Sequence, residues 1–94
     1  MAELQLRGKG VAGIARDVAE GFFSITPLVL KKVEPEGYRA LFYQLKKIQT
    51  QVRGERFPQN DTLALRYRNA RLQRLHQALT ILEYSAKEKR ISLA

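Results

Sequence analysis

Ninety-four residues suffice for one domain around a single modest core. The absence of cysteine excludes disulfides and thiolate chemistry and makes a reducing cytoplasm the expected setting. Apolar runs such as Leu28 to Leu30 fall far short of the roughly 20 residues that cross a bilayer, and no basic head followed by an apolar core opens the chain, so neither insertion nor export is expected.

Seventeen basic against nine acidic side chains leave a net charge of +8, and that charge is concentrated. Between Arg39 and Arg74 stand nine cations and only Glu55 and Asp61 against them, so this stretch supplies seven of the eight net charges. Such a concentration attracts polyanions, nucleic acid first and anionic lipid or acidic protein second.

Residues 1–10 carry Gly8 and Gly10 without a convincing period and read as a flexible or extended arm, made basic by Arg7 and Lys9. Residues 11–94 then form a single helical domain. Val11, Ile14, Ala15, Val18, Ala19, Phe22 and Ile25 fall at helical spacing and predict a first helix. Gly13 and Gly21 each weaken it by about 1 kcal/mol relative to alanine, so burial must hold it. Thr26-Pro27 is a start signal, a capping hydroxyl before a proline that has no helical amide to lose, and a short second helix follows until Glu34-Pro35 interrupts it.

From Pro35, the residues Tyr38, Leu41, Phe42, Leu45, Ile48 and Val52 line one face of a third helix, with Glu36 in its first turn. At about 100° per residue, Arg39, Tyr43, Lys46, Lys47, Thr50 and Arg53 share the opposite sector. A basic stripe with an aromatic set into it can grip phosphates and stack a base or sugar. Gly54 to Asn60 reads as a connector that lets the flanking helices fold back as a hairpin.

Asn60 or Asp61 is expected to cap the final helix, which runs to about Lys89 and measures on the order of 40 Å. Leu65, Leu72, Leu75, Leu79, Leu82 and Ala86 mark its seam, with Arg68 in the row between Leu65 and Leu72. Arg68 must either pair with an acid such as Asp61 or Glu36 or sit on an end that projects from the core; the projecting arrangement is preferred. Arg66, Arg71 and Arg74 are read as pointing away from the seam, where guanidinium forks suit phosphate oxygens. Lys87, Lys89 and Arg90 suit the negative end of this helix, and the tail from Arg90 is expected to fray. No segment alternates long enough for a sheet, so the fold class is all-α: a small helical bundle of three long helices plus one short one, with a long C-terminal helix.

Catalysis finds little to work with. His76 is the only histidine and reads as structural. Asp17 and Glu20 form an i, i+3 pair without a third ligand, a poor metal site. Gly8, Gly10 and Gly13 match Gly-x-Gly-x-x-Gly without the strand and distal acid that a dinucleotide site needs. No catalytic residue, metal, cofactor or small-molecule substrate is expected. The apolar helix segment has acidic residues on its polar face, which argues against a membrane surface, and the long connector argues against a helix-turn-helix.

Short, all-helical, basic and without catalytic residues, the chain resembles the small helical subunit of CRISPR effector complexes in shape and charge. That resemblance implies a protein lining a ribonucleoprotein filament and holding guide or displaced strands by charge. The residues expected to contact nucleic acid are Arg39, Tyr43, Lys46, Lys47, Arg53, Arg66, Tyr67, Arg71 and Arg74. The partners expected are RNA or single-stranded DNA together with other subunits or a second copy, because Phe22, Phe23, Phe42, Leu30 and the seam offer more apolar surface than a thin bundle can cover. The rival expectation is a helical adaptor whose leucine seam docks a partner helix or whose arginines meet an acidic protein surface.

Overall fold

The computed structural model describes residues 5–6 and 9–93, with side chains from residue 10 onward. The helix α1 (Val11–Glu20), the single turn α2 (Pro27–Leu30), α3 (Pro35–Gly54) and α4 (Thr62–Glu88) make up the all-α bundle expected. Ahead of α1, β1 (Gln5–Leu6) and β2 (Lys9–Gly10) pair antiparallel over two rungs, Gln5 opposite Gly10 and Leu6 opposite Lys9. Two residues per strand are too few for an alternating pattern, which is why no sheet was legible there. Arg7 and Gly8 fall outside the described residues, whereas Lys9 and Gly10 of the expected arm are extended in β2 and Gly13 lies within α1.

Helix α1 ends earlier than its apolar spacing predicts. Gly21 adopts a left-handed conformation at φ 84°, its N–H donates to Val18 O at 3.2 Å, and the Phe22 N–H donates to Asp17 O at 2.8 Å. This pair of bonds closes a helix and favours glycine at its pivot. Ile25 is therefore buried from a loop rather than from the helix. Thr26 then caps α2, its hydroxyl accepting from Val29 N at 3.2 Å.

Helices α3 and α4 run antiparallel: Arg39 near the start of α3 reaches Ser92 beyond the end of α4, while Glu55 just past α3 reaches Arg71. α1 lies across both. Ile14, Val18, Tyr38, Leu41, Leu45, Leu75 and Leu82 are at most 3% exposed and form the centre of the core. Tyr38 is wholly buried, and its hydroxyl donates to Leu30 O at 3.2 Å.

Helix α4 is longer than its partners can cover. Every fully buried residue in it lies between Leu75 and Ala86, and none lies between Thr62 and Arg74. Leu65 and Leu72 are half-buried, so the predicted seam is a core face only over its second half. The first half overhangs α3 and is covered by the connector and by the end of α1.

The C-terminal tail does not fray within the described residues. Arg90 takes the left-handed conformation (φ 59°), Arg90 N–H bonds Lys87 O at 3.1 Å and Ile91 N–H bonds Ala86 O at 2.8 Å, which turns Ile91 and Leu93 back onto the core. Lys89 does not cap its own helix. Its Nζ donates to Leu30 O at 3.0 Å and Lys31 O at 2.8 Å, closing α2, and lies 5.1 Å above the Tyr38 ring. A cation at a helix C-terminus has a favourable field wherever that terminus comes from.

Candidate functional site

The outer face of α3 places Arg39, Tyr43, Lys46, Lys47, Thr50 and Arg53 in solvent, as the periodicity predicts. The reason is geometric: with Tyr38, Leu41, Leu45 and Val52 committed to the core, a 3.6-residue period leaves those six side chains on the far side. Glu36, in the first turn, is the one carboxylate that α3 itself carries. Tyr43 is 62% exposed amid the cations. Arg39 Nε donates to Ser92 O at 2.8 Å, and Lys46 Nζ lies 5.6 Å from the Phe42 ring centroid. Among the described side chains, Lys46, Lys47 and Arg53 make no ion pair. The face is thus a row of four cations around an aromatic ring.

The first half of α4 is arranged differently. Asp61 accepts from Ala64 N at 3.0 Å and settles the cap in its own favour over Asn60. Arg66 is exposed as expected. Arg71 and Arg74 are not outward. Counting about 100° per residue from Arg66, Arg71 falls near 140° and Arg74 near 80°, whereas Leu82 falls near 160° and Ala78 near 120°. Arg71 therefore stands within the core sector and Arg74 at its edge, which the same arithmetic applied to the sequence would have revealed.

Arg71 bonds both Glu55 carboxylate oxygens, NH2 at 2.8 Å and NH1 at 3.4 Å, and its guanidinium lies 4.4 Å from the Tyr67 ring centroid. That hydrogen bond holds the Glu55 carboxyl below its ordinary range and raises Arg71 further above its own. Tyr67 in turn donates its hydroxyl to the Glu20 carboxylate, and this bond raises the phenol above its ordinary value. Glu20 is thereby spent on Tyr67 instead of forming an ion site with Asp17.

Arg74 reaches the end of α1, where NH1 donates to Ala19 O at 3.1 Å. Its guanidinium lies flat on Gly21; a Cβ there would meet Arg74 Cζ at 3.0 Å. Glycine is thus needed at position 21 both for its backbone angle and for this contact. Arg68 sits on the half of α4 that overhangs the core, the arrangement preferred for it, but it is half-buried there: it makes no ion pair to Asp61 or Glu36 and covers the Phe57 ring at 5.4 Å.

Of the nine residues expected to contact nucleic acid, the structure gathers Arg39, Tyr43, Lys46, Lys47 and Arg53 on one exposed helix face, leaves Arg66 exposed on α4, and commits Tyr67, Arg71 and Arg74 to contacts within the fold. His76 is exposed, with its carbonyl accepting from the Thr80 hydroxyl at 2.9 Å. No three His, Cys, Asp or Glu side chains among the described residues converge to hold a metal ion. No helix among them is long and apolar enough to cross a membrane. Comparison of the chain with protein-family models, curated proteins and solved structures found no match to any of the three.

Proposed function

We propose that this protein is a non-catalytic, sequence-independent binder of a nucleic-acid backbone, RNA or single-stranded DNA, through the outer face of α3. The observation that carries the reading is the row Arg39, Lys46, Lys47 and Arg53 around the exposed Tyr43, on a helix whose one acid is Glu36 in its first turn. Lysine and arginine ammonium and guanidinium groups at helical spacing match phosphates without reading bases, and an exposed phenol ring in their midst offers a stacking platform for any base. A role as a small subunit of a ribonucleoprotein assembly, as the likeness to CRISPR small subunits implies, fits a chain that grips a strand and performs no chemistry on it. Arg66 is the α4 cation that extends this reading, while Tyr67, Arg71 and Arg74 serve first to hold the fold.

The direct test is charge reversal at Lys46→Glu with Lys47→Glu, read by fluorescence anisotropy of a labelled random single-stranded oligonucleotide. Loss of binding at unchanged helicity supports the reading. Undiminished binding refutes it.

The adaptor reading survives in altered form. The leucine seam cannot dock a partner, because Leu75, Leu79 and Leu82 are already buried inside the bundle. Leu30 is buried and Phe23 and Phe42 are partly covered, while Phe22 stays 72% exposed, so only part of the surplus apolar surface expected remains open. An open groove of about 550 Å³ beside Phe42, Ala86, Ile91 and Leu93, rimmed by Glu83, Lys87 and Arg90, is one place for a protein partner. Binding there would persist at high salt, whereas backbone binding through α3 would not.

A further inference from the structure

The α4 arginines that the fold has taken up are incompletely satisfied. Arg71 turns NH1 and NH2 toward Glu55, yet its Nε and the Nε of Arg68 are buried and have no acceptor among the described residues. Leaving a buried charged donor unmade is unfavourable, so two of them one helical turn apart mark a place with more donors than acceptors. Glu55 supplies only two oxygens to it. The rings of Tyr67 and Phe57 hold the two guanidinium planes in position at 4.4 and 5.4 Å, as a preorganised anion site requires.

The carboxylate that fills the place is displaceable. The Arg71 side chain is 16% exposed but that of Glu55 is 49% exposed, so water and ions reach the anion more readily than the cation. Glu55 sits on the connector, whose described backbone hydrogen bonds lie at its two ends: Glu55 N–H to Val52 O at 3.3 Å, and the Asp61 cap of α4. Between those ends the connector rests on α4 through Glu55 on Arg71 and Phe57 on Arg68. Glu55 also follows Arg53 by two residues, about 7 Å at most between Cα atoms, so this place lies at the C-terminal end of α3, where the row ends.

We infer that Arg71, with Arg68 beside it, is a second phosphate-type anion site that the chain's own Glu55 occupies in the unliganded protein. A phosphate or phosphodiester group presents more acceptor oxygens than a carboxylate and takes the guanidinium fork in the same paired fashion. Its entry swings Glu55 out with the connector and lengthens the α3 binding row by one contact. This inference rests on the proposed backbone binding for its natural ligand, but the site itself is testable with inorganic pyrophosphate alone.

The experiment follows the Arg71 side-chain Nε–Hε resonance of the full chain during titration with pyrophosphate, in the wild type, in Glu55→Gln and in Glu34→Gln, a charge-matched control at an exposed position before α3. The expected result is a saturable shift at Arg71, accompanied by one at the neighbouring Arg68 Nε–Hε, that requires about tenfold less pyrophosphate in Glu55→Gln than in either other protein; in Arg71→Lys, which keeps the charge and loses the fork, the Arg68 resonance should no longer respond. An Arg71 shift no larger than that of exposed Arg66, or an equal gain in Glu34→Gln, overturns the site. A second arm titrates a single-stranded oligonucleotide: tighter binding by Glu55→Gln over Glu34→Gln assigns the site to phosphodiesters. Should Arg71 respond to pyrophosphate while no variant binds the oligonucleotide, the anion site stands and the nucleic-acid reading falls. Should the oligonucleotide bind while Arg71 stays silent, the reverse holds.

Discussion

The outer face of α3 and the first half of α4 carry similar numbers of cations and put them to opposite use. On α3 a complete apolar face is buried against α1 and α4, so the basic residues opposite have no structural duty beyond the Arg39 bond to Ser92. On α4 the helix outruns the bundle, and arginine stems with their guanidinium heads do the covering that apolar residues do elsewhere: Arg68 on Phe57, Arg71 on Tyr67 and Glu55, Arg74 on the end of α1. The difference teaches that positive charge in a small basic protein counts directly toward a ligand where the fold has no prior claim on it, and elsewhere only where the internal partner can be displaced.

The largest effect expected from this contrast lies along α4 itself. Leu82→Ala, in the covered half, should cost about 3–5 kcal/mol in urea denaturation, whereas Leu63→Ala, 76% exposed in the overhang, should stay within about 0.5 kcal/mol. Equal losses at both positions would mean that the overhang is packed after all. Next in size is Arg74→Ala, which removes a charged, part-buried hydrogen bond from the end of α1 and should cost about 1.5–3 kcal/mol, against about 0.5 or less for exposed Arg66→Ala.

Aromatic substitutions sharpen the contrast on the binding side. Tyr43→Ala should lower affinity for a single-stranded oligonucleotide by about 1–3 kcal/mol, the worth of one stacked base, with stability unchanged. Tyr67→Phe should do the reverse, since that hydroxyl is held by Glu20: a lower melting temperature and the same affinity. The smallest effect is that of acid on the connector. Because Arg71 holds the folded-state pKa of Glu55 below the ordinary 4.5, the contact contributes its full stability above that value and loses it as pH falls through the lowered one. The difference in denaturation midpoint between the wild type and Glu55→Gln should therefore be present at neutral pH and shrink as the pH falls below 4.5.

How much of this was legible beforehand follows the strength of the periodic signal. Helix α3 was readable to its ends because its apolar face runs unbroken from Tyr38 to Val52, between Pro35 and Gly54. Thr26 and Asp61 were readable as caps because a short polar side chain before a helix has one geometric use there. The end of α1 was missed because Phe22 and Ile25 continue the spacing past a glycine whose left-handed turn breaks the helix. The tail was missed because its turn is made by Arg90, a residue type rarely placed at positive φ.

In the candidate site, the α3 row came directly from the period, while Arg71 and Arg74 were misplaced by treating charge as a sign of exposure; Tyr67 is 48% exposed, but its hydroxyl is held by Glu20. Their partners, Glu20, Glu55 and Ala19 O, lie between 16 and 55 residues away along the chain, and no local pattern announces a contact at that separation.

The central claim, that the exposed α3 row holds a nucleic-acid backbone through its phosphates, is tested most directly by the salt dependence of oligonucleotide affinity. With Arg39, Lys46, Lys47 and Arg53 each neutralising one phosphate of a single strand, the log–log slope should be about −2.8, and Lys46→Ala with Lys47→Ala should reduce it to about −1.4. A slope near zero in the wild type, or the same slope in the double variant, would contradict the account.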